Sequence, residues 1–410
     1  MINKTAPLDY RAARDLLLAC ISPVGTETIS LFDCAGRVLA RELRAAADVP
    51  AFDRSPYDGY ALRAEDTVGA SRETPVTLRI LEEVPAGAIP TKPVASGKAT
   101  KVLTGAPVPE GADTVINFEA TEFSEETVTL FAPVKTGSNI VRAGEDVKKG
   151  AVLLHAGRVL DAGGVGVLAA QGVAEPEVYR VPRVAVLSTG SELVEAGAEI
   201  GPGKIYNSNA CALCAALKQN GFIPVYLGIA GDSVEAIETL LRRGLTTAGC
   251  DAVISTGGVS VGDYDLTPDA MERAGVELLF RGVALKPGMA CAYGLRDGKI
   301  FCGLSGNPAS ALTNFYAVAL PALKKLAGRL NAVPDCFTVR LQSAFPKPSR
   351  CTRLLRGRLD LSRGAPEMAL SPDQGNAVLS SAIGNDIMAI VPAGSGPLEA
   401  GTELQAFHIL

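Results

Sequence analysis

The stretch Ala252-Val-Ile-Ser-Thr-Gly-Gly-Val-Ser-Val-Gly-Asp-Tyr-Asp265 decides the fold class of this chain. An apolar strand of residues 252–255 runs directly into a glycine-rich turn, and a helix is predicted to begin soon afterwards, at Pro268. Strand–turn–helix units of this kind build doubly wound α/β domains, in which ligands bind beyond the carboxyl ends of the strands. The stretch therefore predicts an α/β domain with a ligand site at the end of this strand.

The same alternation extends over residues 181–330 and predicts the rest of this domain. Apolar runs of strand length alternate there with segments that have the helical period. The predicted strands are residues 183–188, 223–229, 252–255, 276–280 and 299–302, and the predicted helices are residues 209–220, 233–248, 268–274 and 308–326.

Three further regions complete a multidomain architecture of the α/β plus β class. Residues 49–140 contain short β-type runs between Pro and Gly turns, which predict an inserted β domain. Helical spacing near residues 10–21 and 31–44 predicts that residues 1–48 and 141–180 form a helical linking domain. Short strands after Pro334 predict a C-terminal, barrel-like β domain at residues 331–410.

Composition limits the possible functions. The net charge of -5 argues against a broad nucleic-acid surface, and no apolar run is long enough to span a bilayer, so a cytoplasmic location is expected. The chain has two histidines, which makes a histidine-based triad or zinc enzyme improbable. Its nine cysteines indicate reduced interior thiols, and the CxxC spacing of Cys211 and Cys214 is better explained by a packed helix face than by a metal or redox site.

Carboxylates follow three predicted strands of the α/β domain. Glu192 ends the turn Ser188-Thr-Gly-Ser-Glu192, Asp232 follows the strand of residues 223–229, and Asp263 and Asp265 end the glycine-rich turn. Parallel strands bring their carboxyl ends to one edge of a sheet, and backbone amides in glycine turns bind phosphate or other oxyanions. Because carboxylates repel such ligands unless they hold a divalent cation, this edge predicts a Mg²⁺–phosphate site. The alternative is that these residues are helix caps and turn residues.

Two further segments of this domain offer contacts for an anion. Ala284-Leu-Lys-Pro-Gly288 is predicted to be a turn that presents Lys286, either to an anionic ligand or simply to solvent. Gly303-Leu-Ser-Gly-Asn-Pro-Ala-Ser310 opens the last long helix, where Asn307 before Pro308 is typical of a helix cap. The amides of this segment and the Ser310 hydroxyl remain candidates for anion binding.

Seven segments of the chain resemble the molybdopterin molybdenumtransferase family, which contains the bacterial MoeA proteins and the gephyrin E-domain. They occur in the family's order and are jointly highly specific. The segments are Phe52-Asp-Arg-Ser-Pro-Tyr-Asp-Gly-Tyr-Ala61, Thr104-Gly-Ala-Pro-Val-Pro109, Gly144-Glu-Asp146, Ser188-Thr-Gly-Ser-Glu192, Gly257-Gly-Val-Ser-Val-Gly-Asp-Tyr-Asp265, Lys286-Pro-Gly288 and Ser305-Gly-Asn-Pro308. From composition alone, the first two of these segments would be no more than hairpin turns.

The resemblance implies an elongated homodimer of four-domain chains, each with a MogA-like α/β domain. The implied reaction converts molybdate and adenylylated molybdopterin, with Mg²⁺, to molybdenum cofactor and AMP. It also implies partners, namely a MogA-like molybdopterin adenylyltransferase and downstream cofactor-transfer proteins. Catalytic roles are implied for Asp58, Thr104, Asp146, Glu192, Asp232 and Asp265, of which Glu192, Asp232 and Asp265 are also the expected Mg²⁺ ligands. Substrate contacts are implied for Lys286, Gly257, Gly258, Ser260, Ser305, Gly306, Asn307, Ser310, Arg353, Arg356 and Ser380.

This chain departs from the family pattern at three cationic positions. Val141, Gly282 and Met289 stand where the family commonly has basic residues, with Arg142 and Arg281 next to the first two. These differences leave two alternatives to molybdenum insertion open. One is an enzyme that inserts tungstate, and the other is a pterin-binding scaffold without turnover.

Overall fold

The computed structural model describes residues 7–246, 248–260 and 265–409. By its internal contacts the chain divides into two compact units. The first consists of Met1–Arg41, Ala156–Val165 and Ala174–Leu410, and the second of Glu42–His155 and Gly166–Val173.

The helices and strands fall into three stretches of the chain. Up to residue 179 they are β1 (Leu8–Asp9), α1 (Tyr10–Ala19), β2 (Thr26–Thr28), β3 (Leu43–Arg44), β4 (Gly59–Leu62), β5 (Val76–Val84), β6 (Lys98–Val102), β7 (Thr114–Asn117), β8 (Thr121–Phe123), β9 (Thr127–Leu130), β10 (Val152–Leu154), α2 (Ala162–Ala170) and β11 (Glu177–Tyr179). The α/β region contains β12 (Arg183–Thr189), β13 (Leu193–Val194), β14 (Ile205–Tyr206), α3 (Ser208–Gln219), β15 (Ile223–Ala230), α4 (Val234–Leu245), β16 (Ala252–Thr256), α5 (Thr267–Arg273), β17 (Glu277–Arg281), β18 (Val283–Lys286), β19 (Cys291–Arg296), β20 (Lys299–Leu304), α6 (Pro308–Asn314) and α7 (Leu320–Leu326). The C-terminal strands are β21 (Cys336–Leu341), β22 (Thr352–Asp360), β23 (Glu367–Leu370), β24 (Ile387–Val391) and β25 (Glu403–His408).

The α/β domain of the first unit is built on a six-stranded sheet with the order β15-β12-β16-β20-β19-β17. Its first four strands are parallel, and β19 and β17 continue it in antiparallel pairs. The carboxyl ends of β12, β15, β16 and β20 therefore lie at one edge, as predicted. The sequence-based prediction missed β18 and β19.

Alternating side chains of the central strand β12 explain why helices cover both faces of this sheet. Val184 and Val186 are fully buried in a core with the helices α3, α6 and α7. Ala185 and Leu187 point the other way, into a core with α4 and α5. A strand that is buried on both faces is typical of a doubly wound sheet, so the predicted fold class is confirmed.

The predicted helix of residues 308–326 is a single helical run with an irregular centre. A π-helical segment, Phe315–Ala319, joins α6 to α7. Pro321 lies just after this segment and has no N–H group to donate to the preceding turn. The run begins at Asn307, as expected, although the Asn307 side chain makes no capping hydrogen bond.

The prediction of a helix at residues 31–44 was wrong. Only a short 3₁₀ turn, Leu31–Asp33, forms there, followed by strand β3. The apolar residues Val38 and Leu39 instead form β-bridges with Val159 and Val178. Long-range pairing thus overrode the local helical spacing, whereas the first predicted helix is present as α1.

The C-terminal strands of the first unit form a closed barrel. The order β22-β23-β21-β25-β24 is completed by an additional pairing of β22 with β24, which leaves no free edge between these five strands. Strand β18 extends the sheet beyond β22 through a parallel pairing, and β1 pairs with β18 in turn. The predicted barrel-like domain is confirmed.

The second unit contains a six-stranded sheet with the order β7-β4-β6-β5-β9-β8. Tyr60 is fully buried in it, and its ring lies 5.2 Å from that of Phe118 and 5.9 Å from that of Phe123. This sheet is the β domain predicted from the short runs of residues 49–140. In the described ranges of both units, no helix has the length and apolar character needed to cross a membrane.

Candidate active site

The turns that follow β12, β16 and β20 pack closely against one another. A Cβ atom at Gly257 would lie 2.6 Å from both the carbonyl and the hydroxyl oxygen of Thr189, and a Cβ at Gly306 would lie 3.6 Å from the Gly257 Cα. Gly257 also has a φ of 99°, which side chains disfavour. Its amide donates to the Leu304 carbonyl at 2.9 Å. Glycine at position 257 therefore allows the three turns to meet at the sheet edge.

Asp232 fixes the turn after β12. Its Oδ2 accepts from the Ser191 amide at 2.9 Å, and the Asp232 amide donates to the Ser191 hydroxyl at 3.4 Å. The Glu192 carboxylate folds back over Gly190, where a Cβ atom would lie 2.3 Å from Glu192 Oε2. Asp232 and Glu192 are both exposed, so the strand edge presents them to solvent.

A polar network behind this edge was not predicted from the sequence. The Ser188 hydroxyl lies 3.0 Å from the Thr256 hydroxyl and donates to Asn207 Oδ1 at 2.8 Å. Asn207 Nδ2 donates to the Tyr226 hydroxyl at 2.9 Å, and Tyr226 donates to Glu195. Burial is the main cause that raises the pKa of Tyr226, and the hydrogen bond to Glu195 is the second. Tyr226 therefore stays a neutral donor.

The expected Mg²⁺ site is not preassembled from protein side chains alone. In the ranges that the structure describes, no three His, Cys, Asp or Glu residues come close enough together to hold a metal ion. The assignment of Glu192, Asp232 and Asp265 as Mg²⁺ ligands stays a prediction, and Asp263 lies outside the described residues. Mg²⁺ commonly binds one or two carboxylates together with substrate phosphates and waters. The exposed Asp232 and Glu192 fit that mode of binding.

Lys286 is the last residue of strand β18 and not part of a free turn, which corrects the sequence-based prediction. In the parallel pairing of β18 with β22, Lys286 lies directly beside Arg353, so both side chains leave the same face of the sheet. Lys286 is exposed and has no hydrogen-bond or ion-pair partner among the described residues. Arg353 is half-buried, donates to the Ser349 hydroxyl at 2.9 Å and lies over the Phe345 ring. The structure thus places two cations side by side with no described carboxylate paired to either.

Arg356, which was also predicted to contact the substrate, lies in a different environment from Arg353. It is only 1% exposed, because it lies on the opposite face of β22 from Arg353. Its guanidinium donates to the carbonyls of Asp373 and Gly375 and to the hydroxyl of Ser381. Arg356 therefore holds a loop of the C-terminal domain with Nε and one terminal nitrogen, and its contact with the oxyanion stays a prediction.

The predicted contacts of Ser380 and Ser310 stay predictions. Ser380 is exposed, whereas the neighbouring Ser381 is the residue that bonds Arg356. Ser310 is buried and its amide donates to the Asn376 carbonyl at 3.2 Å, so the predicted contact rests on its hydroxyl. Ser305 is also buried, and its hydroxyl accepts from the Asn307 amide at 3.2 Å. The exposed members of the predicted substrate contacts are Lys286, Ser260, Gly306, Asn307 and Ser380.

Asp58 and Thr104 meet on the surface of the second unit. Asp58 Oδ1 accepts from the Thr104 amide at 2.7 Å and from the Thr104 hydroxyl at 2.8 Å. Both hydrogen bonds lower the pKa of Asp58, and the one from the Thr104 backbone amide has the larger effect. Asp58 is therefore an exposed, ionised carboxylate that is fixed in orientation.

The other motif segments of the second unit join this surface through backbone hydrogen bonds. The Ser55 amide donates to the Ala106 carbonyl at 2.9 Å, and the Arg54 amide donates to the Val141 carbonyl at 2.9 Å. Asp146 is exposed, and its amide is held by the Val49 carbonyl at 3.0 Å. Arg142, which stands next to one of the departures, is paired with Asp53 at 2.6 Å. It is therefore already neutralised within its own unit.

These observations define a multidomain protein that joins a doubly wound α/β domain to an inserted β sheet and a closed β-barrel. Residues 8–172 match the MoeA N-terminal region (domain I and II), residues 185–325 match the probable molybdopterin binding domain, and residues 338–408 match the MoeA C-terminal region (domain IV). The chain belongs to the molybdopterin molybdenumtransferase family.

Similar proteins cover nearly the whole chain. A molybdopterin molybdenumtransferase of Bacillus subtilis (strain 168) is 37% identical over 418 residues, which is 100% of this chain and 96% of that protein. A molybdopterin molybdenumtransferase of Staphylococcus epidermidis (strain ATCC 12228) is 35% identical over 401 residues, covering 98% of this chain and 95% of that protein. The solved structure of the molybdopterin biosynthesis MoeA protein from Pyrococcus horikoshii OT3 is 32% identical, with a TM-score of 0.84, and covers 98% of this chain and 100% of that chain.

Proposed function

We propose that this protein is a molybdopterin molybdenumtransferase, which inserts molybdenum from molybdate into adenylylated molybdopterin and releases AMP. Membership of the family and the match over all of its regions support this activity. The observation that carries the assignment within the structure is the pair of cations, Lys286 and Arg353, on neighbouring strands. A metal oxyanion needs such unneutralised positive charge, whereas a purely structural strand pair does not.

The oxyanion binds between these two cations. Lys286 supplies a mobile point charge, and the Arg353 guanidinium supplies N–H donors in a fixed plane. The exposed Gly306, in the turn that leads into helix α6, adds a backbone amide. Molybdate thus lies where β18 and β22 meet, and the dithiolene sulfurs of the pterin replace its oxygen ligands there.

The phosphates of the adenylylated pterin lie against the glycine turns of the α/β domain. Gly257 and Gly258 pack the turn after β16 against Thr189 and Thr267, and the exposed Ser260 follows them as a contact for the ligand. Asp232, Asp265 and Glu192 would hold Mg²⁺ together with substrate phosphate oxygens, and the ion would neutralise charge on the phosphoanhydride. Asp232 keeps the turn of Ser191 and Glu192 in place, so binding and orientation are the main contributions of these residues.

The active site is shared between two copies of the chain in a homodimer. The motif residues are divided between two compact units, with Asp58, Thr104 and Asp146 on the second and the α/β residues on the first. Asp58 is ionised and exposed. A residue that acts on a ligand outside its own unit needs such exposure. The four-domain division, the cytoplasmic location, a MogA-like adenylyltransferase and downstream cofactor-transfer proteins belong to the same proposal.

Tungstate insertion is the second candidate, because Met289 is 41% exposed next to the Lys286 turn and leaves the oxyanion site one cation short of the family pattern. The test is AMP release by the purified protein with adenylylated molybdopterin and Mg²⁺, titrated separately with molybdate and tungstate. We expect molybdate to give the lower half-saturating concentration. A lower value for tungstate would assign the protein to tungsten, and no AMP release with either oxyanion would leave the pterin-binding scaffold.

A further inference from the structure

Asn314 is a fully buried amide that lies beneath the turn following Lys286. It is 0% exposed at the end of helix α6, and its Nδ2 donates to the Gly288 carbonyl at 2.8 Å. Its Oδ1 accepts from the hydroxyl of Tyr293, which is also 0% exposed. Both ends of the amide are thus used, and one of them holds the backbone two residues beyond Lys286.

Gly288 fits tightly against the same helix. Its φ is 106°, and a Cβ at this position would lie 3.1 Å from the Ser310 carbonyl oxygen and 3.2 Å from the Asn314 Cβ. The turn therefore packs on the first helical turn of α6 with no space to spare. The bond from Asn314 is the side-chain hydrogen bond that fastens the turn to this helix.

The opposite side of the Lys286 backbone is fastened by the barrel. Lys286 pairs with Arg353 across β18 and β22, so the residue lies between one attachment to the barrel and one to helix α6. Lys286 itself ends in a long side chain without a described partner. These two attachments therefore fix the backbone from which the flexible Lys286 side chain extends, and thereby the region that its ammonium group can reach.

The Gly288 carbonyl and Tyr293 together hold the Asn314 amide. The tyrosine ring stacks on Phe280 at 5.0 Å between centroids, which fixes the ring in the core. Because a carbonyl oxygen can only accept, the NH₂ end of Asn314 must face Gly288, and the amide oxygen is left to accept from the Tyr293 hydroxyl. With the amide reversed, two acceptors would face each other at Gly288.

We infer that Asn314, held by Tyr293, is a positioning residue that fixes the backbone from which the Lys286 side chain extends and thereby sets the affinity for the metal oxyanion. This inference rests on the proposed function. Neither residue touches the substrate, because both are completely buried. Their effect should consequently appear in the oxyanion concentration dependence and leave pterin binding unchanged.

The test uses three variants of the full-length protein. Asn314→Leu removes both hydrogen bonds at similar volume, Tyr293→Phe removes only the hydroxyl, and Thr313→Val is the matched control. Thr313 is the adjacent residue, equally buried, and its hydroxyl has no partner among the described residues. Losing one net hydrogen bond corresponds to about a three- to tenfold change in an equilibrium constant. We expect half-saturating molybdate to rise about tenfold in Asn314→Leu and about threefold in Tyr293→Phe, and to stay unchanged in Thr313→Val.

A double-mutant cycle with Lys286→Ala separates positioning from general damage. If Asn314 and Tyr293 act through Lys286, their variants add nothing further to half-saturation in the Lys286→Ala background. Full additivity would overturn the inference, as would wild-type half-saturation in both single variants. If Asn314→Leu does not fold, the additivity of Tyr293→Phe with Lys286→Ala tests the inference on its own.

The failure of this inference and that of the proposed function are distinguishable. Equilibrium dialysis of molybdate against the same variants, with pterin bound, gives a readout that does not require turnover. Suppose that the wild type releases AMP with molybdate and that Lys286→Ala weakens this dependence. Unchanged molybdate binding in the Asn314 and Tyr293 variants would then refute the positioning role and leave the proposed function intact. Absence of molybdate-dependent AMP release in the wild type would refute the proposed function itself, and the inference with it.

Discussion

The sheet edge of the α/β domain and the cation pair on β18 and β22 are built in opposite ways. At the edge, each element is a continuous strand and turn, such as β16 with Gly257 and Gly258, and its chemistry can be found within a few consecutive residues. The cation pair joins Lys286 to Arg353, which are distant in sequence and adjacent only because two strands pair. Local sequence therefore specifies the first region, and tertiary pairing creates the second.

The two regions also differ in charge, and this difference assigns them different parts of the substrate. The edge presents the carboxylates Glu192 and Asp232, which are compatible with phosphates only when a divalent cation is present. Lys286 and Arg353 present positive charge that no described carboxylate neutralises, and such charge binds an anion directly. This difference supports the proposal that the pterin phosphates bind at the edge and the metal oxyanion at the cation pair.

The largest effect is expected at the edge, from Gly257→Ala. The new Cβ would lie 2.6 Å from two oxygens of Thr189 at a φ of 99°, so the turns must move apart. We expect the free energy of unfolding to fall by about 2–4 kcal/mol and AMP release to be lost. Urea unfolding followed by circular dichroism measures the first effect.

Gly306→Ala is the control for this prediction, because its Cβ would make only an ordinary contact of 3.6 Å with Gly257. It should stay within about 0.5 kcal/mol of the wild type. Equal stability of both variants would show that the edge is not packed as described.

The next effect concerns the carboxylates at the same edge. Asp232→Asn and Asp265→Asn should fold normally and yet lower AMP release about a hundredfold or more, because a neutral amide binds Mg²⁺ poorly. Initial rates over a range of Mg²⁺ concentrations test this, with Asp269→Asn on the exposed start of helix α5 as control. Normal turnover of both variants at all Mg²⁺ concentrations would reduce these aspartates to turn and cap residues.

At the cation pair, Lys286→Ala should affect the oxyanion and spare the pterin. One charge-assisted contact contributes on the order of 1.5–3 kcal/mol, so half-saturating molybdate should rise roughly ten- to hundredfold. Met289→Lys should lower it, since Met289 is exposed beside the turn. AMP release is followed against molybdate and tungstate at fixed ionic strength. If the half-saturating oxyanion concentration is unchanged in both variants, strand β18 does not contribute to the metal site.

The smallest effect is expected in the second unit, where Thr104→Val removes one of the two donors to Asp58. The backbone bond, which lowers the pKa of Asp58 most, remains, so the pKa should rise only part of the way to its ordinary value. Because a lowered carboxyl pKa contributes stability that is lost as pH falls through it, this loss should begin at a higher pH in the variant. Carboxyl-carbon NMR titration measures the shift, and Thr104→Ser should behave as the wild type does. An unchanged pKa in Thr104→Val would mean that the hydroxyl bond does not form.

The contrast between the two regions also explains which predictions succeeded. The strands at β12, β15, β16 and β20 and the carboxylates that follow them were predictable, because hydrophobic runs and glycine turns are local patterns. The roles of Asp58 and Thr104 entered through the family resemblance, since composition alone indicated two hairpins, and their contact is seen only in the structure. Residues such as Asn207, Tyr293 and Asn314 carry no local pattern that separates them from ordinary core residues.

The errors arose where long-range pairing determined the structure. Residues 31–44 have helical spacing but form β-bridges with partners far along the chain. Arg353 and Arg356 are equivalent cations in sequence, yet strand alternation leaves Arg353 half-buried and buries Arg356 fully. Likewise, the choice between Ser380 and Ser381 depends on the side from which Arg356 approaches. Such facts follow from tertiary structure and not from residue type.

The most direct test of oxyanion binding by the cation pair is the molybdenum content of the pterin product in relation to AMP release. Wild-type protein and the Lys286→Ala/Arg353→Ala double variant are incubated with adenylylated molybdopterin, Mg²⁺ and limiting molybdate, with Arg358→Ala on the exposed part of β22 as control. We expect wild type and control to incorporate molybdenum in proportion to the AMP that they release, and the double variant to incorporate almost none. AMP release without molybdenum in the wild-type product, or full incorporation by the double variant, would contradict this role of Lys286 and Arg353.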